Sequence, residues 1–360
     1  MKRIIMHVDL DSFYASLEEN RDSRIRGKPV VICVYSGRTE DSGAVSTSNY
    51  KARALGIKAG MPIVIAKRIA KGKDVAFLPV DMDYYREVSD RIMDIIEDES
   101  DIMEQVSIDE AYLDVTERTD GHLDKAIEIA NIIKEKITSQ EGLTASVGIS
   151  SNKFVAKMAS DFQKPNGLIV VKKGEIISFL KNLKVSKLHG IGSKTTKSLN
   201  DLGIETASDL GSYDLTRLEV VFGKNNAKLL HDKSLGLDET PVESRDRKQL
   251  SRIGTLKEDT KDKNVIFEKI VELSKDMELR LIKNNVSFRT VSLVTIDTEL
   301  KTQTKSETIP QTKDIQKVVS VSKQLLEKYF QENFDKKLRR VGIRVSNLEF
   351  SKSQRTLDEF

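Results

Sequence analysis

The residues best suited to chemistry in this chain are carboxylates. Asp109 and Glu110 stand side by side in the stretch Gln105-Val106-Ser107-Ile108-Asp109-Glu110-Ala111-Tyr112-Leu113-Asp114. The apolar opening run Ile4-Ile5-Met6-His7-Val8 delivers two more, Asp9 and Asp11. Carboxylates brought together repel one another unless a cation neutralises them, and hard oxygen ligands suit Mg²⁺. The chemistry predicted is a two-metal site acting on phosphate, clamping the attacking and leaving oxygens of an in-line displacement. Leu10 could offer its backbone carbonyl to a metal while its side chain packs. Asp11 is the weakest ligand of the four acids, because its direction depends on whether the strand continues past Leu10. Asp114 has no argued role beyond a hairpin or surface carboxylate.

A phosphate substrate needs fixed positive groups and hydrogen-bond donors where charge develops on the leaving pyrophosphate. Tyr50, Arg53 and Lys58 are closely spaced near a predicted helix opening, and the turn Lys164-Pro165-Asn166-Gly167 would hold Lys164 at a defined place. Phe13 and Tyr14 sit where the first strand turns into a helix, so a ring there could test substrate shape.

The elements that must position these groups follow from periodicity. Strands are predicted over 4–10, 28–35, 44–47 and 143–149, with a β-hairpin made of 106–110 and 111–115. Helices are predicted over about 82–98 and 122–138, and from Ser151-Asn152 onward with a Ser/Asn cap. This order suggests a ferredoxin-like palm, an antiparallel sheet with acids on one face and helices on the other. From 183 the character changes: Leu188-His189-Gly190-Ile191-Gly192-Ser193-Lys194 reads as a helix–hairpin–helix, whose backbone N–H groups could cradle a DNA phosphate with Lys194 adding charge. Residues 215–236 look like a second, degenerate copy. His189 and His231 lack clustered metal partners and read as structural. The polar segment 239–248 reads as a linker. Beyond it, strands near 250–257, 287–297 and 337–348 alternate with helices near 262–284 and 314–332, with a polar Thr/Lys stretch over 301–313. Their basic ends, Lys301, Lys305, Arg339, Arg340 and Arg344, would face duplex phosphates. The final residues fit Gln-x-x-Leu-x-x-Phe: Gln354 as a polar anchor, Leu357 and Phe360 on one helical face, the pattern of a sliding-clamp-binding peptide.

Composition sets the bounds. At 360 residues, the chain is long enough for two to four domains. No run approaches the roughly 18 apolar residues of a membrane span, and Asp9 and Asp11 break any leader-like opening. The single cysteine, Cys33, excludes an internal disulfide and reads as a small core residue, pointing to a reducing, intracellular setting. The net charge of +3 conceals an asymmetry, since residues 241–350 carry 23 Lys and Arg against 17 Asp and Glu, and residues 1–240 carry 34 against 37. A basic back beside an acidic, cation-seeking front suits a nucleic-acid enzyme. The compact length and the lack of a nuclear-type basic tail favour a prokaryotic cytoplasm, at the nucleoid.

Taken together, Asp9-Leu10-Asp11-Ser12-Phe13-Tyr14, Ser48-Asn49-Tyr50-Lys51-Ala52-Arg53, Ser107-Ile108-Asp109-Glu110-Ala111-Tyr112-Leu113-Asp114, Ser146-Val147-Gly148-Ile149-Ser150 and Lys164-Pro165-Asn166-Gly167 closely resemble the Y-family translesion DNA polymerases, DNA polymerase IV branch, over nearly the whole chain. The resemblance implies a multidomain α+β right hand: a palm of 1–12 and 82–171, fingers 13–81, a thumb 172–238, the linker 239–248, a little finger 249–350 and a clamp-binding tail 351–360. It implies that Asp9, Asp109 and Glu110, with the Leu10 carbonyl, hold two Mg²⁺ ions, that Tyr50, Arg53 and Lys164 bind the incoming triphosphate, and that Tyr14 is the steric gate against ribose. Ser12 and Leu10 depart from the aromatic residues common at those positions in the family. The implied activity is low-fidelity, template-directed DNA synthesis on primer–template DNA from dNTPs, by a monomer tethered to a sliding clamp. The alternative is a non-catalytic, clamp-tethered DNA-binding scaffold.

Overall fold

The structure, a computed structural model, describes residues 3–244 and 247–350. In chain order it contains β1 (Ile5–Leu10), α1 (Phe13–Arg21), β2 (Val30–Tyr35), β3 (Gly43–Ser48), α2 (Tyr50–Ala54), α3 (Ile63–Ala70), β4 (Ala76–Pro79), α4 (Met82–Asp98), β5 (Ile102–Gln105), β6 (Glu110–Asp114), α5 (Leu123–Glu141), β7 (Ala145–Ser150), α6 (Lys153–Phe162) and β8 (Leu168–Val170). Five helices follow: α7 (Ile176–Leu180), α8 (Ser193–Asp201), α9 (Ala207–Ser212), α10 (Leu215–Phe222) and α11 (Lys224–Ser234). The chain continues through β9 (Gln249–Thr260), α12 (Lys263–Lys283), β10 (Val286–Asp297), β11 (Thr302–Thr312), α13 (Ile315–Glu332), β12 (Leu338–Ser346) and β13 (Glu349–Phe350). Two compact units emerge, one of Met1–Val34, Val45–Met61 and Ile65–Arg245, the other of Tyr35–Ala44, Pro62–Val64 and Asp246–Phe360.

The first unit is organised by a five-stranded sheet in the order β5-β6-β1-β7-β8. Alternation along β1 sends Met6, Val8 and Leu10 into a core shared with Ala111 and Leu113 of β6, Val147 and Ile149 of β7, and the apolar faces of α4 and α5. The intervening residues His7 and Asp9 take the opposite face, cross-strand from Tyr112 and Glu110 on one side and from Gly148 and Ser146 on the other. A one-residue slip in register would drive these carboxylates into the apolar core, so core burial itself fixes where the acids stand.

That second face, which carries the acids, is covered as well. Helix α6, capped by the Asn152 side chain accepting from the Val155 N–H at 2.9 Å, lies close over it. Gly148 makes the approach possible: a Cβ there would come within 2.1 Å of the Ala156 carbonyl and 2.4 Å of the Ser160 nitrogen. The hairpin also differs from expectation. Its first strand is β5, and Val106–Asp109 form the turn, so Asp109 sits in a connection while Glu110 opens β6. Cys33 is buried in β2, which pairs with β4 in parallel. Helices α7 to α11 enclose a core of Leu180, Leu188, Leu199, Leu210, Leu218 and Leu230, to which α6 adds Phe154, Val155 and Met158.

The first part of the segment read as a linker is docked on the palm sheet. Val242 is buried with Ile5, Tyr112 and Ala156, Lys153 donates to the Pro241 carbonyl at 3.3 Å, and the buried Glu104 carboxylate accepts from the Glu243 N–H at 3.2 Å. A single apolar residue in a polar run gives no period to read, which is why the sequence shows no sign of this anchor.

The second unit is a five-stranded antiparallel sheet, β11-β10-β12-β9 with the short β13 also paired to β10, and α12 and α13 lie on one face around Phe288, Val291, Leu293, Val341 and Ile343. The two β-α-β units expected are present. The polar stretch near 301–313 is a strand, however: β11 pairs with β10 from Thr302 to Thr312. It is an edge strand with a largely exposed, Thr-rich sequence, and such strands carry β-propensity without the apolar alternation that reveals a half-buried one.

Candidate active site

Asp9 and Glu110 face each other across β1 and β6, and the turn carrying Asp109 is locked to the end of β1 by the Leu10 N–H donating to the Asp109 carbonyl at 2.9 Å. Ser89 of α4 steadies the same turn by donating to the Ile108 carbonyl at 2.6 Å, and Ser107 donates to the Asp109 carboxylate at 2.5 Å. Burial, with repulsion from Asp9 and Glu110, pushes the Asp109 carboxyl above the usual carboxylate range despite that hydroxyl.

Among the described residues, His7, Asp9 and Glu110 bring possible metal-ligand atoms together, all within 4.8 Å of one another. His7, which sequence reading passed over, is fully buried; its Nδ1 shares a hydrogen bond with the Ser160 hydroxyl at 2.8 Å. Its Nε2 faces Glu110 at 3.5 Å and has no hydrogen-bond partner among the described residues. Glu110 is held well below the usual range by the His7 imidazole and by the Lys157 ammonium; the imidazole contact is long for a hydrogen bond, and the 2.7 Å lysine bond is the stronger cause. Burial pushes the imidazole toward its neutral form. Lys157 bridges Glu110 at 2.7 Å and Asp9 at 2.8 Å. Burial works against its charge, but Asp9, Asp161 and Glu110 outweigh it and raise the ammonium's pKa. This donor set fits a hard divalent cation: converging carboxylate oxygens, one carboxyl driven toward protonation by its neighbours, and a pair held together by a borrowed ammonium.

A cavity of about 300 Å³ opens beside the acids, lined by Asp9, Leu10, Phe13, Tyr14, Tyr50, Arg53, Asp109 and Lys164 together with Ser12, Ser46, Thr47 and Ile108. The cavity thus brings together Asp9, Asp109, the Tyr14 ring and the donors Tyr50, Arg53 and Lys164, while its lining does not include Glu110, Asp11 or Lys58. Lys164 reaches Asp9 at 2.5 Å and Asp161 at 2.9 Å. Arg53 donates through Nε to the Ser48 carbonyl at 2.8 Å and holds its guanidinium over the Tyr50 ring, 5.0 Å from the centroid. The Tyr14 ring stacks on Tyr85 at 4.5 Å, and Tyr85 is itself tethered by donating to Glu18 at 2.8 Å. The Tyr14 ring is therefore braced from behind.

Asp11 is the acid whose placement the sequence left open. Its carboxylate points away from Asp9's partners and accepts four hydrogen bonds: Ser146 Oγ and Thr144 Oγ1 at 2.8 Å, the Asn166 N–H at 2.7 Å and the Tyr50 hydroxyl at 3.2 Å. It is a buried hub that joins Tyr50, β7 and the Lys164-Pro165-Asn166-Gly167 turn. Burial and the Asp11 charge together raise the Tyr50 phenol, so it stays a donor. Asp114 caps the backbone instead, accepting from the Thr116 N–H at 2.9 Å.

Away from the cavity, Gly190 adopts φ +83°, and the Lys233 ammonium, which donates to the His189 carbonyl at 2.7 Å, occupies the space a side chain at Gly190 would need. Gly192 is the N-cap of α8, whose first turn carries Lys194. In the second unit, Arg339 is paired with Asp259 at 2.8 Å and Lys305 with Glu332 at 2.7 Å, while Arg340 lies on β12 cross-strand from Ile296 and Thr255. Gln354, Leu357 and Phe360 lie outside the described residues. No helix among the described residues is long and apolar enough to cross a membrane.

Known families and proteins match this chain along most of its length. The impB/mucB/samB family matches residues 8–161, its C-terminal domain matches 247–358, and the helix–hairpin–helix motif of the same family matches 173–204. A protein of Nitrosopumilus maritimus named DNA polymerase IV is 40% identical over 361 residues, covering 99% of each chain. One of Methanosarcina mazei named DNA polymerase IV 1 is 41% identical and covers all of both chains. Among solved structures, a chimera of the Y-family DNA polymerases Dbh and Dpo4 superposes with a TM-score of 0.89 at 36% identity, over 97% of this chain and 100% of the other. An insertion ternary complex of Dbh DNA polymerase gives 0.73 at 35% identity over the same shares.

Proposed function

Since the chain belongs to the impB/mucB/samB family of Y-family DNA polymerases, we propose how its own residues carry the reaction of that family. The protein is a DNA-directed DNA polymerase of the DNA polymerase IV branch, a translesion enzyme with an α+β fold. It is metal-dependent like the rest of the family. The finer assignment is ours: Asp9, Asp109 and Glu110, with the Leu10 carbonyl, hold two Mg²⁺ ions. The observation that carries it is the convergence of Asp9, Asp109, Tyr14, Tyr50, Arg53 and Lys164 on one cavity, with Glu110 directly across the strand from Asp9.

When bound, such ions lower the pKa of a primer 3′-hydroxyl and neutralise charge on the leaving pyrophosphate. The protein's residues do the rest. Tyr50, Arg53 and Lys164 hold the triphosphate by charge-assisted hydrogen bonds, and Lys164 moves from Asp9 to the phosphate as it does so. Tyr14, braced by Tyr85, fills the space a 2′-hydroxyl would need. His7 stands behind Glu110, its Nε2 3.5 Å from the carboxylate. Primer–template DNA binds through backbone contacts, with Gly190, Gly192 and Lys194 at one phosphate and Arg339 and Arg340 at others, giving sequence-blind, salt-sensitive affinity.

We divide the hand into a palm of 1–12 and 82–171, fingers 13–81, thumb 172–238, a connecting segment 239–248 and a little finger 249–350. Residues 351–360 form the tail that tethers a monomer to the sliding clamp through Gln354, Leu357 and Phe360. On our reading the work is done in a prokaryotic cytoplasm, at the nucleoid, which the archaeal relatives support. The scaffold alternative has no observation in its favour, since all three acids are present. Purified protein with a primed template, dNTPs and Mg²⁺ is expected to extend the primer, and Asp109→Ala to abolish extension while DNA binding persists. No incorporation by the wild type with Mg²⁺ or Mn²⁺ refutes the reading, and full activity in Asp109→Ala removes that residue from the site.

A further inference from the structure

Lys157 has no assigned part in the reaction, yet its ammonium stands among three carboxylates. Its side chain is about nine-tenths buried, and its Nζ sits 2.8 Å from Asp9, 2.7 Å from Glu110 and 3.6 Å from Asp161. The first two contacts are to carboxylates assigned to the metal. The third is to a carboxylate one helical turn along α6, far more exposed, that also receives Lys164 at 2.9 Å. Gly148 lets α6 come close enough for this: any side chain there would hold the helix, and with it Lys157, away from the acids.

We propose that Lys157 is a built-in, exchangeable counter-ion: a positioning residue that holds Asp9 and Glu110 together before the metal arrives and swings to Asp161 when a divalent cation takes its place. Two carboxylates facing each other across a sheet need positive charge at all times, and water alone does not supply it in a half-buried site. The ammonium supplies it without sealing the site, because a lysine head is a single mobile charge on a flexible stem. Asp161 gives that charge somewhere to go, within one side-chain rotation of its resting position. The metal then enters a geometry already assembled, at the cost of displacing a competitor. This inference depends on Asp9 and Glu110 being cation ligands.

The test uses the full-length protein without DNA or nucleotide. Mn²⁺ is titrated by electron paramagnetic resonance into wild type, Lys157→Gln, Lys157→Arg and Glu110→Gln, and each is melted in EDTA and in Mg²⁺. Removing the competing charge is expected to tighten Mn²⁺ binding in Lys157→Gln by about tenfold or more, whereas Lys157→Arg stays near wild type. In EDTA, Lys157→Gln is expected to melt below wild type and to recover in Mg²⁺, while the wild-type melt responds little to the ion. If Glu110→Gln binds Mn²⁺ as tightly as wild type, the assignment of the carboxylates fails and the proposal with it. If Glu110→Gln binds weakly but Lys157→Gln binds and melts like wild type, the carboxylates stand and the counter-ion role is overturned. Should Lys157→Gln not fold even with Mg²⁺, Lys157→Arg decides: Mn²⁺ affinity within about threefold of wild type supports exchange at a retained charge, and tenfold tighter binding refutes it.

Discussion

Replacing Asp11 by Asn separates a ligand from a hub. The carboxylate accepts two hydrogen bonds on each oxygen, from Ser146 and Tyr50 on one and from Thr144 and the Asn166 N–H on the other. An amide keeps one acceptor. The Asn166 N–H cannot reverse, so the amide oxygen must face it and the neighbouring Thr144, leaving the NH₂ against Ser146 and Tyr50. Ser146 can turn its lone pairs to the amide while it still receives the Gly167 N–H at 3.2 Å. Tyr50 loses its charged acceptor and with it the restraint that aims its ring and the Arg53 guanidinium above it. A mispaired, partly buried polar contact costs about 1–3 kcal/mol, which corresponds to about 5- to 150-fold in affinity. Single-nucleotide incorporation by rapid quench is therefore expected to show a dNTP Kd raised within that range, with the maximal rate held within about threefold, and Mn²⁺ binding to the free protein unchanged. The reasoning is refuted if Asp11→Asn loses about a thousandfold or more in maximal rate at saturating dNTP, with weakened Mn²⁺ binding, because that is the signature of a lost metal ligand.

Two further outcomes bear on the site and the tail. Tyr14→Ala is expected to admit ribonucleotides, lowering sugar discrimination by about 5- to 150-fold as the 1–3 kcal/mol clash of an overfilled site is relieved; unchanged selection in a competition assay removes Tyr14 as the gate. Deleting residues 353–360 is expected to weaken pull-down by the sliding clamp while leaving distributive extension on a short primer intact, and retained pull-down places the tether elsewhere.

Much of the fold was legible because it is local. The alternation in β1, the Asn152 cap of α6 and the Pro/Gly turn after Lys164 each declare themselves within a few residues. The hairpin was legible as a pair of strands but shifted: Val106 and Ile108 look like strand residues, yet they turn the chain, and β5 lies earlier in Ile102–Gln105. There the deciding contact is the Ser89 hydroxyl on the Ile108 carbonyl, from a helix 19 residues upstream. β11 and Val242 escaped for the opposite reason, since one is an edge strand with polar residues on both faces and the other a lone apolar anchor, and neither has a period.

The fates of Asp9 and Asp11 show what sequence reading lacks at the site itself. Both are acids at the exit of one strand, two residues apart, and nothing in their own chemistry separates them. Their partners do. Asp9 stands beside Lys157 and Lys164, mobile cations that a metal and a triphosphate can replace. Asp11 stands among two hydroxyls of β7 and its entry, a backbone N–H and a phenol, neutral donors that give each of its oxygens two hydrogen bonds. A carboxylate held by charges that can leave remains available to chemistry, whereas one held by neutral donors fixed in the fold becomes part of the frame. The same distinction singles out Lys157: its head group is bound only by carboxylates, one of which leads away from the site, so it is positioned to be exchanged. Donors that come from α6, β7 and the Lys164 turn converge on β1 only after the sheet has closed, and Gly148, which looks like an ordinary strand glycine in sequence, sets how closely they do so.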